Sequence, residues 1–138
     1  MLDISIHDNR IISYEVDCQD RRINLHTQFE HSEPTEHTDA IFKGVLAYHF
    51  AHDNFSNILF NIDEIAIDKL IKKYQYLFDE GSKYAWPGPW NESINTCVQH
   101  FQSNNARAFE LNSSYGLYGW VIAESYRLKT VGAMNCAE

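Results

Sequence analysis

Hydrophobic and polar residues alternate with a period of two along most of the first half of the chain. This pattern is typical of half-buried β-strands, and it predicts strands at residues 10–17, 22–29, 40–50 and 58–62. In the first strand, Ile12, Tyr14 and Val16 should share the buried face. A short polar connection joins the first two strands, so they must be antiparallel neighbours. Gly44 lies on the apolar face of the third strand, which indicates a β-bulge or a close approach by another element.

The hydrophobic period changes after residue 62. Apolar side chains then recur every three or four residues, on one stripe of an α-helix: Ile67, Leu70, Ile71, Tyr74, Leu77 and Phe78. Gly81 suits the position just beyond the end of this helix. We expect the stripe, through Leu70, Tyr74 and Leu77, to be buried against the apolar face of the third strand, which carries Phe42, Leu46 and Tyr48.

The second half of the chain contains a proline-rich break, a shorter helix and a closing hairpin. Two prolines fix the backbone of the segment 86–90 and remove hydrogen-bond donors, so this segment is predicted to be a loop. Asn91 can cap a shorter helix whose buried residues are Ile94, Val98 and Phe101. Two final strands are predicted at residues 106–112 and 117–128. The order of elements predicts one α+β domain over residues 1–138: an antiparallel sheet of about five or six strands with one long and one shorter helix packed on one face.

The chain is acidic, with 11 Lys and Arg residues, 19 Asp and Glu residues and a formal net charge of −8. An acidic surface repels nucleic-acid phosphates and attracts basic partners, so we expect no direct nucleic-acid binding. The N-terminus resembles no secretory signal, and no segment reaches the roughly eighteen apolar residues of a membrane span. Cys18, Cys97 and Cys136 are widely spaced and should stay reduced. We therefore expect a cytoplasmic protein without disulfide or membrane contact.

Catalytic and metal-binding motifs are nearly lacking in the sequence. His49 and His52 have the i, i+3 spacing of many metal ligands, but on a strand this spacing places the two rings on opposite faces. Cys97 and His100 would share one face of the shorter helix, where a thiolate–imidazole pair can act as a nucleophile, yet no group that orients the pair is evident. We expect no catalytic residue, no metal and no cofactor. The alternative is a small enzyme or metal-dependent hydrolase that uses the histidines or the Cys97–His100 pair.

Two segments carry residues suited to binding another protein. The segment 30–39 contains no apolar residue and is predicted to be an exposed loop, in which four carboxylates would attract Lys and Arg of a partner: Glu30, Glu33, Glu36 and Asp39. The proline-braced loop carries residue types that dominate binding hot spots: Tyr84, Trp86 and Trp90. The alternatives are a merely solvated charge run for the first segment and, for the second, a loop that folds back to plug one end of the core.

The N-terminal half also resembles a known class of proteins. The segments that carry the resemblance are residues 7–17 (HDNRIISYEVD), 22–27 (RINLHT), 41–50 (IFKGVLAYHF) and 57–62 (NILFNI). Over residues 7–65 the pattern is similar to small bacterial immunity proteins of polymorphic-toxin and contact-dependent inhibition systems. The resemblance implies a non-catalytic cytoplasmic protein that binds and blocks a cognate toxin domain, commonly a basic nuclease whose association an acidic surface would speed. An adaptor module without defined chemistry is a further alternative.

Overall fold

The computed structural model describes residues 4–87 and 94–131 of the chain. These residues form six β-strands and three α-helices: β1 Arg10–Asp17, β2 Arg22–Phe29, β3 Glu36–Ala51, β4 Asn57–Ile65, α1 Ile67–Lys73, α2 Gln75–Ser82, α3 Ile94–Ser103, β5 Arg107–Tyr115 and β6 Tyr118–Val131. All strand pairs are antiparallel. The predicted α+β class and six-stranded antiparallel sheet are therefore present in the described part of the chain, and β1 and β2 have the predicted bounds.

The sheet closes into a barrel in the order β1-β2-β3-β6-β5-β4. β3 has 16 residues, and it pairs with β2 through its first half and with β6 along its length. Closure is completed where β1 meets β4, with Arg10 opposite Ile58 and Ile11 opposite Asn57. A closed barrel has no unpaired strand edge and separates an inner from an outer face. The helices were predicted to pack on one face of an open sheet. In the structure they pack on part of the outer face of a closed barrel.

Of the two possibilities predicted for Gly44, a bulge or a close approach by another element, the structure has a bulge in the middle of β3. The φ angle of Gly44 is +63°, in the left-handed region that favours glycine, and the register with β6 shifts between Val45 and Ala47. A Cβ atom at Gly44 would lie 2.7 Å from Cδ of Glu124. A larger residue at this position therefore requires both a strained backbone and a displaced Glu124 side chain.

Because of the bulge, three residues of β3 that the alternating pattern predicts on one face have different surroundings. Phe42 is fully buried inside the barrel, Leu46 packs against the helices outside it, and Tyr48 is exposed. The predicted common face of these three residues was wrong, because a bulge adds one residue to the strand and changes which side chains point inward. The helical stripe consequently does not rest on Phe42.

A second bulge, in β1, moves Ile12 to the surface. The register with β2 shifts between Ile11 and Ser13. Ile11 is buried, whereas Ile12 is 45% exposed. Tyr14 and Val16 lie beyond the bulge and are partly buried against the barrel core. The predicted buried face was therefore correct for Tyr14 and Val16 and wrong for Ile12.

The barrel interior forms one hydrophobic core, to which all six strands contribute. Its buried residues include Ile11, Ile23, Leu25, Phe42, Leu59, Phe109, Leu111 and Val121. Phe42 stacks on Tyr126 with ring centroids 4.9 Å apart and meets Phe109 edge-on at 5.7 Å. Burial of each large apolar side chain contributes about 1.5–3 kcal/mol, so this interior is a principal source of stability.

The helices cover part of the outer face of the barrel and form a second core there. Trp120 and Ile122 of β6 point away from the interior and pack with buried residues of the helices: Ile67, Leu70, Ile71, Tyr74, Phe78, Cys97 and Phe101. Leu70 and Tyr74 are buried as predicted, and Leu77 is partly buried. The apolar stripe predicted from the sequence is therefore the buried side of the helices, but the strand residues that it contacts were predicted wrongly.

The predicted long helix over residues 67–78 is divided into α1 and α2 at Tyr74. The backbone of Tyr74 (φ −109°, ψ 31°) leaves the helical region. Its hydroxyl donates a 3.0 Å hydrogen bond to the buried carboxylate of Glu110 on β5, which also forms an ion pair with Lys73. The prediction of one long helix was wrong, because the apolar spacing continues through the break and carries no sign of this buried polar contact.

Trp86 closes one end of the second core. Its ring stacks on Phe78 with centroids 5.6 Å apart and lies 6.0 Å from Trp120. Gly81, predicted to follow the end of a helix, is instead inside α2, and a Cβ atom there would collide with the Trp86 ring. Glycine at residue 81 therefore allows the tryptophan to lie directly on α2.

We predict that Trp86→Ala lowers the free energy of unfolding by about 3 kcal/mol, because it leaves a cavity against Phe78 and Trp120. Tyr84→Ala is the matched control, since Tyr84 is 79% exposed and its truncation should change stability by less than about 0.5 kcal/mol. Urea denaturation of the free protein measures both. Equal effects of the two substitutions would contradict a core role for Trp86.

Candidate functional site

The four predicted acidic residues do not form one exposed patch. Glu33 is exposed in the β2–β3 loop, and Glu36 is exposed at the start of β3. The Glu30 carboxylate forms an ion pair with Arg10 at 3.1 Å. The loop predicted for residues 30–39 ends before Glu36, because β3 begins there, so Asp39 is a strand residue with a largely buried side chain. Glu33 and Glu36 therefore offer the most accessible carboxylates of the segment.

Asp39 takes part in a polar bridge across three strands. The two ring nitrogens of His26 lie 3.0 Å from Asp39 Oδ1 and 3.0 Å from Glu15 Oε1. Partial burial lowers the pKa of His26, but the hydrogen bonds to both carboxylates raise it by more, so the pKa lies above its ordinary value of 6.5. The protonated ring donates from both nitrogens and ties β1, β2 and β3 together.

A serine lies in register beside this bridge. Ser13 pairs with His26 across β1 and β2, and His26 pairs with Asp39 across β2 and β3. The row thus contains the residue types of a Ser–His–Asp triad, in which Nε2 of the histidine takes the proton of the serine hydroxyl. In this structure Nε2 is bonded to Glu15, so the row acts as an ion-pair bridge unless Glu15 moves away.

The predicted aromatic binding residues have different surroundings. Tyr84 is exposed, whereas Trp86 is packed in the second core, so the alternative of a core plug describes Trp86. Trp90 and the predicted cap Asn91 lie outside the described residues. Of the aromatic candidates that the structure describes, only Tyr84 therefore has an exposed side chain.

The remaining candidates for chemistry are dispersed. Cys97 is fully buried, and burial raises the pKa of its thiol to about 11, so the group is protonated at neutral pH. The ring of His49 stacks near Trp120, while His52 meets Tyr118 edge-on. Within residues 4–87 and 94–131, no three His, Cys, Asp or Glu side chains converge as a metal site requires.

The β3–β4 loop holds a phenylalanine in an unusual position. Phe55 is 92% exposed, and its φ angle of +69° lies in the left-handed region that bulky residues rarely adopt. Asp53 Oδ1 accepts hydrogen bonds from the Phe55 N–H at 3.0 Å and from Asn57 Nδ2 at 2.8 Å. Asp53 Oδ2 accepts a third from the Tyr14 hydroxyl at 2.8 Å. Together these bonds lower the pKa of Asp53, which therefore stays ionised and fixes the loop.

Asn57 couples this loop to the β5–β6 turn. The residue is 3% exposed, and its Oδ1 atom accepts hydrogen bonds from the N–H groups of Asn54 at 3.3 Å and Leu117 at 2.8 Å. Gly116 has a φ angle of +85°, and a Cβ atom there would collide with the Asn57 amide. The two loops are therefore locked together by one buried side chain.

Phe55 belongs to a small exposed apolar surface, which we call the Phe55 rim and define as Ile12, Phe55 and Tyr115. Ile12 and Phe55 line a shared cavity of about 340 Å³. Tyr115 is 56% exposed and pairs with Ile58, which in turn pairs with Arg10 at the start of β1. Strained backbone and rigid, exposed aromatic residues are both features of binding sites. This rim is therefore the best candidate for a binding site.

The start of the β2–β3 loop lies beside residues of β1, β4 and β5. Glu30 and His31 line a cavity of about 270 Å³ together with Arg10, Ile58 and Ser114, and Ser114 directly precedes Tyr115 of the Phe55 rim. The sequence pattern does not identify Phe55, because the dipeptide Asp53-Asn54 is typical of a turn but gives no information about whether the next side chain is exposed.

Comparison with protein-family models, with curated sequences and with solved structures found no match to this chain. Among the described residues, no helix is long and apolar enough to cross a membrane.

We predict that the His26 bridge makes the stability of the protein depend on pH. Its pKa is raised in the folded state, so the bridge contributes fully below the unfolded pKa, and this contribution is lost as pH rises through the folded pKa. The free energy of unfolding of the wild type should therefore fall toward that of His26→Gln as pH is raised from about 6, below the unfolded pKa, into the alkaline range. Urea titrations across this range measure the difference. Parallel profiles for the two proteins would show that the bridge contributes nothing.

Proposed function

We propose that this protein is a cytoplasmic inhibitor of the immunity type, which binds a cognate bacterial toxin domain stoichiometrically and blocks it without catalysis. The observation that carries the proposal is the rigid, 92% exposed Phe55 of the Phe55 rim. A free protein gains nothing from holding a large apolar side chain in water, whereas a partner with a matching pocket does. The acidic surface and the resemblance of residues 7–65 to immunity proteins support the same reading.

The rim has the properties of a binding anchor. Phe55 loses little conformational entropy on binding, because its loop is already fixed by Asp53 and Asn57. Burial of an exposed phenylalanine contributes about 1.5–3 kcal/mol. Ile12, which lines the same cavity, adds to the apolar contact, and Tyr115 is a further exposed aromatic residue of the rim. A partner that covers these residues needs a shallow apolar pocket.

The charge around the rim favours a basic partner. Glu33 and Glu36 are exposed in and just after the β2–β3 loop, whose first residues Glu30 and His31 line a cavity with Ile58 and Ser114. The formal net charge of −8 adds an attraction for a cationic protein that is strongest at low salt. Such charges act mainly on the association rate, while apolar anchors act on the dissociation rate. A basic, nuclease-type toxin domain fits both properties.

The segment that carries the resemblance also builds this surface. Residues 7–65 comprise β1 to β4. They therefore supply Ile12, the acidic β2–β3 loop and the loop with Phe55, while only Tyr115 comes from later in the chain. The part of the sequence that is similar to immunity proteins is thus the part that forms most of the proposed interface.

A small hydrolase is the second candidate. The observation that favours it is the row of Ser13, His26 and Asp39, in which Nδ1 of the histidine is already bonded to the aspartate. Activity requires that Glu15 release Nε2 of the histidine. Hydrolysis of ester substrates that is abolished by Ser13→Ala and increased by Glu15→Gln would favour this candidate over inhibition.

We predict that Phe55→Ala weakens binding to the cognate toxin domain by about 2 kcal/mol, or about thirtyfold in Kd, mainly through faster dissociation. The partner is identified by co-purification with the protein encoded beside this one, and the affinity is measured by surface plasmon resonance. Tyr84→Ala removes an equally exposed aromatic residue from the helical side and should leave Kd unchanged. Unfolding in urea should be the same for both variants. Equal affinity of Phe55→Ala and wild type would exclude the rim from the interface.

We predict that reversal of Glu33 and Glu36 to lysine slows association with the same partner and reduces its dependence on salt, because exposed charges steer the encounter. The matched control is reversal of Asp68 and Asp79, which are exposed on α1 and α2. Both double variants change the net charge equally. If the control slows association as much as the Glu33 and Glu36 variant, only the total charge matters and the β2–β3 loop is not near the interface.

A further inference from the structure

Three cationic side chains of this acidic protein line one part of the barrel surface together. Arg22 on β2, Lys43 on β3 and Arg127 on β6 are all exposed there. Arg22 has a loose ion pair with Asp17 at 3.7 Å. Lys43 and Arg127 form no ion pair with any residue in the described ranges. This grouping leaves positive charge available for a ligand.

These side chains surround a cavity on the outside of the sheet. The cavity has a volume of about 620 Å³, and small-molecule sites typically have volumes of roughly 300–1,000 Å³. Its cationic wall consists of Arg22, Lys43 and Arg127, and its other wall carries the carboxylates of Glu15 and Asp17. The floor includes the buried side chain of Ile41, which pairs with Arg127 in register.

The register places like charges side by side. Arg22 lies directly opposite Lys43 across β2 and β3, and like charges at such positions destabilise a sheet. Arg127 lies two residue pairs farther along, opposite Ile41. The folded protein thus brings three cations together without a counter-charge for two of them. An anion in the cavity would relieve this repulsion.

We propose that this cavity binds a small phosphate ester that also carries hydroxyl or amino groups. Two guanidinium groups and an ammonium group suit a phosphate, because arginine can bond two of its oxygens at once and lysine supplies a compact charge. Glu15 and Asp17 accept hydrogen bonds from the hydroxyl or amino groups of the same ligand. A nucleoside phosphate combines these features in a size that the cavity accommodates.

The net negative charge of the protein does not oppose this site at physiological salt. Exposed charges farther apart than about 8 Å are largely screened at that ionic strength. The ligand therefore responds to the three cations and two carboxylates that line the cavity. The site is also independent of the proposed toxin inhibition, because none of its five charged residues belongs to the Phe55 rim.

Isothermal titration calorimetry of the full chain with ADP, pyrophosphate and adenosine tests the proposal. We expect saturable binding of ADP, weaker binding of pyrophosphate and no binding of adenosine. Arg127→Gln and Lys43→Gln should each raise the Kd for ADP at least about tenfold, since each removes a charge-assisted hydrogen bond. Lys72→Gln is the matched control, because Lys72 is an exposed lysine on α1, and it should change the Kd less than twofold.

Three results would overturn the proposal. The first is that ADP shows no saturable binding up to about 5 mM, because a Kd above that concentration is too weak for a specific site. The second is an equal effect of Lys72→Gln and Arg127→Gln, which indicates attraction to overall charge rather than to the cavity. The third is that pyrophosphate binds as tightly as ADP, because the carboxylates of Glu15 and Asp17 would then contribute nothing to ligand binding. Thermal unfolding of each variant establishes that it is folded, and Lys43→Gln should be at least as stable as the wild type.

Discussion

The bulge of β3 at Gly44 is the constraint on which the rest of the structure depends. β3 pairs with β2 before the bulge and with β6 on both sides of it, so this one strand joins the two parts of the sheet. The left-handed backbone of Gly44 suits a bulge, and a side chain there would collide with Glu124. As a result Phe42 points into the barrel, while Leu46 and Ala47 face the helices.

This change of face divides the outside of the barrel into two surfaces with different chemistry. Next to the second half of β3, Trp120 and Ile122 are covered by α1, α2 and α3, and Trp86 completes the cover. Next to the first half, most of the outward side chains are polar, and the bridge of His26 lies among them. The apolar surface is therefore used for stability, and the polar surface is left for ligands.

The two candidate sites owe their form to different physical causes. The Phe55 rim depends on hydrogen bonds within a loop, because Asp53 and Asn57 satisfy the backbone donors that no strand partner satisfies. The cationic cavity depends on strand register, because pairing alone sets Arg22 against Lys43. Burial of a few polar atoms is enough to fix the first site, whereas the second requires the alignment of four strands.

The sequence by itself determined the α+β class, the bounds of β1 and β2, the bulge at Gly44 and the burial of Leu70 and Tyr74. These features follow from periods of two and of three to four residues, which depend only on near neighbours in the chain. Tertiary structure alone decided barrel closure, the helix break at Tyr74, the exposure of Phe55 and the grouping of Arg22 with Lys43 and Arg127. Each of these rests on pairs of residues far apart in sequence, such as Tyr74 with Glu110 or Asn57 with Leu117, and local periodicity carries no information about such pairs.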